Sequence, residues 1–176
     1  MLKQFLMSKQ GLIITTLVFL LFIIGVLPYV ASISETRTHT AFSPDTGFLY
    51  TPATFYDSMA VYGESGRQFY IVMRWTFDVL WPLVYTGFFI SIIGYLSIEL
   101  SNQVSITAIT IVLLAVLFDL FENILATINV GMYPERSLFL LRLLQGASLL
   151  KWLFIVLTMI EIGILNFHLL IKKIRS

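Results

Sequence analysis

Between residues 106 and 130 the chain is predominantly apolar, yet Phe118-Asp119-Leu120-Phe121-Glu122-Asn123 sets two carboxyl groups and an amide in its second half. A run of this length crosses the hydrocarbon core of a bilayer, about 30 Å at about 1.5 Å per residue. Polar groups at that depth need partners or water, so this segment cannot face lipid on every side. The rest of the chain must therefore supply a protein-lined interior.

Composition sets the class. Of 176 residues 58% are hydrophobic and 12% charged, and the mean hydropathy of +0.90 lies well outside the soluble globular range. The length fits one domain. A net charge of +1 is too small to point to a nucleic-acid partner. The absence of cysteine excludes disulfides, a thiolate nucleophile and a Cys-ligated metal.

Residues 11–33 are uncharged and follow Lys3 and Lys9, which predicts a first membrane helix. The run exceeds the roughly 7–15 residues of a signal-peptide core, so an uncleaved anchor is expected rather than a cleaved leader. Pro28 deprives the carbonyl of Ile24 of its helical donor and predicts a mild kink. From Ser34 to Thr51, Ser, Thr, Pro, Gly and Asp accumulate without periodicity and predict a loop outside the membrane. Thr51-Pro52 has the form of an N-cap followed by proline at the first helical position, and Phe55, Tyr56, Met59 and Tyr62 then recur at helical spacing. A short amphipathic helix is expected there, its aromatic face either resting on the bilayer interface or covering the helix ends, before Gly63-Glu64-Ser65-Gly66 turns the chain.

Further membrane helices are expected over residues 67–99, 105–130 and 135–172, joined by short turns at Ser101–Ser105 and at Tyr133-Pro134-Glu135-Arg136. Gly87 and Gly94 permit close helix approach. Lys172, Lys173 and Arg175, together with Lys3 and Lys9, place both termini in the cytoplasm by the positive-inside rule. The expected whole is a single all-α domain, a four-helix transmembrane bundle capped on the outside by residues 34–66, an outer loop with a short extracytoplasmic amphipathic helix.

This topology gathers polar residues in the outer half. At about 100° per residue Arg74, Asp78, Trp81 and Tyr85 share one arc of the second helix, and Pro82 frees the carbonyl of Asp78 as an acceptor. Asp119, Glu122 and Asn123 form one face of the third helix beside the small residues Ala115 and Ala126. On the fourth helix Arg142, about one turn below the outer boundary, is the expected counter-charge. Lys151 lies about 180° around the axis and more than two turns deeper, so it is expected outside the cluster, touching Ser148 or snorkelling. Glu161 receives no role. The expected cluster is thus Arg74, Asp78, Tyr85, Asp119, Glu122, Asn123 and Arg142.

Such a set either fixes helix order as a neutralised network or holds the polar head of a lipid-like ligand. The alternative is a membrane-embedded hydrolase in which Asp78 and Asp119 share a proton and activate water. Four spans and this size resemble lipoprotein signal peptidase in architecture. That family's aspartates, however, lie in Asn- and Gly-containing motifs on later helices, with no counterpart here. Ser148-Leu149-Leu150-Lys151 has the spacing of a Ser/Lys dyad, a weak pattern on a Ser- and Leu-rich helix. A proton pathway needs a second polar step toward the cytoplasm, for which only Glu161 and Lys151 offer themselves. His39 and His168 fall on opposite sides of the membrane, so no metal site is expected, nor any cofactor. The expected partners are the lipid bilayer and either a lipid-like ligand or another membrane protein.

A second resemblance covers more of the chain. Tyr50-Thr51-Pro52, Tyr62-Gly63-Glu64-Ser65-Gly66-Arg67, Asp78 with Pro82 and Tyr85, and Asp119-Leu120-Phe121-Glu122-Asn123 resemble a group of small four-span bacterial membrane proteins. The resemblance implies a bacterial inner-membrane location and the co-occurrence of these elements. It implies no reaction.

Overall fold

The structure is a computed structural model that describes residues 2–44, 50–101 and 103–175, and no strand occurs among them. Residues 45–49 of the expected loop and Asn102 of the expected turn lie outside the described residues. The helices are α1 (Leu2–Leu6), α2 (Lys9–Leu21), a π turn (Phe22–Val26), α3 (Leu27–Thr38), α4 (Pro52–Trp75), α5 (Phe77–Glu99), α6 (Ile106–Gly131) and α7 (Leu138–Arg175). Four stretches are long and apolar enough to cross a membrane: Lys9–Thr38, Pro52–Glu99, Ile106–Gly131 and Leu138–Arg175. Their outward faces expose Leu17, Leu21, Ile24, Leu113, Leu117 and Leu153, an apolar exterior compatible with a multi-pass membrane protein.

The first stretch starts at Ser8, whose hydroxyl accepts from the Gly11 amide at 3.0 Å. The expected kink takes the form of the π turn, in which the Leu27 amide reaches back to the Phe22 carbonyl. Pro28 follows directly: its ring crowds the preceding turn and removes a donor, and a widened turn relieves both. The helix then continues past residue 33 to Thr38, where His39 turns left-handed at φ 59°.

Thr51 caps α4 by accepting from the Thr54 amide at 3.1 Å, with Pro52 in the first turn. Gly63 interrupts α4 with φ 62° and ψ −178°, backbone space that is essentially glycine's alone. Gly63→Ala is therefore expected to destabilise the protein by about 1–3 kcal/mol, read as a fall in the thermal midpoint of the detergent-solubilised protein.

The buried face of α4 decides between the two sequence-level alternatives for this helix. Phe55, Tyr56, Met59 and Tyr62 are at most 2% exposed and pack with Leu125 and Val130 of α6 and Leu141 and Leu144 of α7. Tyr56 Oη accepts from the Ser137 amide at 2.9 Å, and Gln145 Nε2 donates to the Tyr50 carbonyl at 2.6 Å. The segment thus covers the end of the molecule that carries the α6–α7 turn.

The expected span over 67–99 is broken at Thr76, with φ −117° and ψ −81°. Its hydroxyl donates to the Val72 carbonyl at 2.8 Å, a local bond that competes with the helical ladder and bends the chain. Beyond it α5 packs on α2, α6 and α7, while α6 and α7 run along each other and α3 lies on α4. Gly94 makes room on α5 for Met7, whose Cγ would lie 2.5 Å from an added Cβ.

Candidate functional site

Arg74 ends α4 and Asp78 begins α5, on either side of the Thr76 break. Their side chains meet across it, Arg74 Nη2 to Asp78 Oδ2 at 2.7 Å. Asn123 of α6, fully buried, holds both sides. Its Nδ2 donates to the Asp78 carbonyl at 3.1 Å, and its Oδ1 accepts from Arg74 Nη1 at 3.4 Å. The carbonyl is available because Pro82, four residues on, has no N–H to give it. The Arg74 guanidinium also lies over the Tyr70 ring, 4.7 Å from its centroid.

One turn back along α6, Asp119 and Glu122 meet Lys151 of α7. Lys151 Nζ forms a close ion pair with Glu122 Oε2 and lies 3.8 Å from Asp119 Oδ1. Tyr85 Oη of α5 donates to Asp119 Oδ2 at 3.0 Å. Glu122 is 1% exposed, and Asp119 and Lys151 are nearly as buried. Side chains from α4, α5, α6 and α7 thus converge in one polar layer.

Of the sequence-predicted residues the structure brings together Arg74, Asp78, Tyr85, Asp119, Glu122 and Asn123. Arg142 is not among them: it is exposed, and Lys151 stands where Arg142 was expected. Two geometric facts produce the exchange. The buried stripe of α7 is Leu141, Leu144, Ser148 and Lys151, and at about 100° per residue Arg142 projects from the other side. Depth agrees when counted from the turn the two helices share. Asp119 lies 12 residues before the end of α6 at Gly131, and Lys151 lies 13 residues after the start of α7 at Leu138. The expected contact of Lys151 with Ser148 is likewise replaced: Ser148 Oγ is buried without a hydrogen-bond partner.

The polar layer forms the floor of a cleft of about 490 Å³. Leu27, Val30 and Ala31 of α3 make one wall, and Met73, Phe77 and Trp81 of α4 and α5 the other. Arg74, Asp78, Tyr85, Asp119 and Lys151 lie at the bottom, with Trp152 and Ile155 beside them. Glu35, Thr38, Thr40 and Ser43 line it near the end of α3, Glu35 exposed and Thr38 buried. No family model, curated protein or solved structure matches this chain. Asp78 and Asp119 both reach the cleft, but each already holds a cation of its own, Arg74 and Lys151. Glu161, deep along α7, is no part of the layer, and among the described residues no three His, Asp or Glu side chains converge as a metal site requires.

Proposed function

We propose that this chain is a multi-pass protein of the bacterial inner membrane, with both termini cytoplasmic, that binds a lipid-like amphiphile in the outer half of a four-helix bundle. The observation that carries the proposal is the continuity of one cleft from apolar walls to a charged floor. Its volume lies in the range of small-molecule sites, about 300–1,000 Å³, and a few convergent polar groups at the end of an apolar slot fix one end of a ligand. The same residues also tie helices together through Asn123, which supports a structural share for Arg74 and Asp78. The hydrolase alternative draws less support. Two carboxylates share a proton when their mutual repulsion leaves neither able to ionise fully, whereas Asp78 and Asp119 are separately neutralised.

The test is native mass spectrometry of the wild-type protein released from membranes, compared with Ala31→Trp, which fills the cleft from an exposed position on α3. The wild type is expected to retain an amphiphile that the variant has lost, with unchanged helical circular dichroism. Retention by neither protein, or equally by both, overturns the proposal.

A further inference from the structure

Every charged group on the cleft floor already holds an opposite one. Arg74 lies against Asp78 at 2.7 Å and is held as well by Asn123 and by the Tyr70 ring. Lys151 is shared by Glu122 and Asp119 and lies over the Trp152 ring, while Tyr85 Oη donates to Asp119. An anionic head therefore reaches Arg74 or Lys151 only in competition with the protein's own carboxylates. A cationic head reaches Asp78 or Asp119 only in competition with those two cations. Either ion would leave water for this layer without gaining a counter-charge of its own, which is unfavourable.

An uncharged head avoids that cost. A carboxylate oxygen accepts more than one hydrogen bond, and an ammonium or guanidinium donates several, so a hydroxyl joins an ion pair without displacing either partner. The rest of the lining has the same character. Near the end of α3 it offers the hydroxyls of Ser34, Thr38, Thr40 and Ser43, and among the described residues the exposed Glu35 is the one charged side chain that lines the cleft there. Resting on the amphiphile-binding proposal above, we infer that the ligand's head is uncharged and bears hydroxyl groups, as in an acyl- or alkylglycerol. The hydroxyls lie beside the Arg74–Asp78 and Lys151–Asp119 pairs, and the tail runs along Leu27, Val30 and Met73.

Three amphiphiles of one chain length separate the possibilities: 1-O-dodecylglycerol, dodecyl phosphate and dodecyltrimethylammonium. Each is added at the same mole fraction to the full-length protein in phosphatidylcholine nanodiscs, which avoid the hydroxyl heads of maltoside detergents. Retention is read by native mass spectrometry of the released protein, with Ala31→Trp as the filled-cleft control. The wild type is expected to retain the glycerol ether at least about tenfold more than either ion, a preference lost in Ala31→Trp. Asp78→Asn, with unchanged helical circular dichroism, deprives Arg74 of its carboxylate and is expected to raise dodecyl phosphate retention at least about threefold. The order of the three compounds on the wild type decides the inference even if that variant does not fold. Either ion retained as well as the glycerol ether, and lost in Ala31→Trp, overturns the uncharged head and leaves the amphiphile site standing. Phosphatidylcholine as the sole molecule lost in Ala31→Trp has the same meaning. A folded Asp78→Asn that gains no phosphate also sinks the inference, because the paired charges then do not exclude the anion. No difference between wild type and Ala31→Trp for any compound or lipid removes both the head and the site.

Discussion

Lys151→Met is expected to cost about 3–5 kcal/mol of stability, because it leaves Asp119 and Glu122 facing each other in a buried layer without their shared cation. Methionine matches the length and apolar stem of lysine, so the loss isolates the charge. Arg142→Met, on the exposed side of the same helix, is expected to stay within about 0.5 kcal/mol of the parent. Both are read from unfolding of the detergent-solubilised protein in increasing dodecyl sulfate, followed by tryptophan fluorescence. Adding Glu122→Gln to Lys151→Met recovers part of the loss, since a neutral amide needs no counter-ion, whereas adding it to Arg142→Met does not help. Equal stability of the two single variants would mean that the ion pairs contribute nothing to the fold.

Asn123→Leu is expected to cost about 2–5 kcal/mol, the combined effect of a lost bond to a charged donor and a stranded backbone acceptor. Pro82 makes the effect diagnostic. Replacing it by alanine restores an N–H four residues beyond Asp78, so in the leucine background the carbonyl regains a helical partner. Pro82→Ala is therefore expected to recover roughly 1 kcal/mol in Asn123→Leu while giving no such gain in the wild type. Additive effects of the two substitutions would show that the amide and the proline do not address the same carbonyl. Asn123→Asp keeps an acceptor for Arg74 but donates nothing, and falls between wild type and leucine.

The helical class was legible in the apolar runs, and the start of α4 in the Thr51-Pro52 pair. Most of the polar layer was legible as well, because Arg74, Asp78 and Tyr85 repeat at helical spacing, a proline at 82 must free the carbonyl of residue 78, and Asp119, Glu122 and Asn123 share one face of the third helix. The identity of its cation was not. Asp119 counted from the start of the third helix and Arg142 counted from a membrane boundary are measured on two rulers, whose errors add. One ruler from the α6–α7 turn pairs Asp119 with Lys151 directly. The break at Thr76 has no pattern in the apolar periodicity, since Thr110, Thr127 and Thr158 make the same local bond without breaking their helices. Gly63 was visible as a turn residue, but its burial context was not: the aromatic face ahead of it suits a membrane surface as well as a protein interior.

The π turn at Phe22–Val26 has a consequence for how the first spanning helix is shared between neighbours. Thr15 abuts the Gly87 position on α5, Phe19 stacks on Trp81 and Phe88, and Phe22 stacks on Phe77 and Trp81, a stripe stepping by three and four residues. Continued in an unbroken α-helix, that stripe would reach positions 26, 30, 33 and 37. The cleft is instead lined by Leu27, Val30 and Ala31, Ser34 and Glu35, and Thr38, essentially one position later. A widened turn absorbs one extra residue, so the positions one later beyond it keep the side that Thr15, Phe19 and Phe22 hold before it. Rewinding residues 22–26 as a regular α turn, with no residue removed, would rotate Glu35 and Thr38 by about 100° relative to α5 while altering no side chain in either stripe. Access to the charged floor therefore depends on the winding of the first helix as much as on its composition.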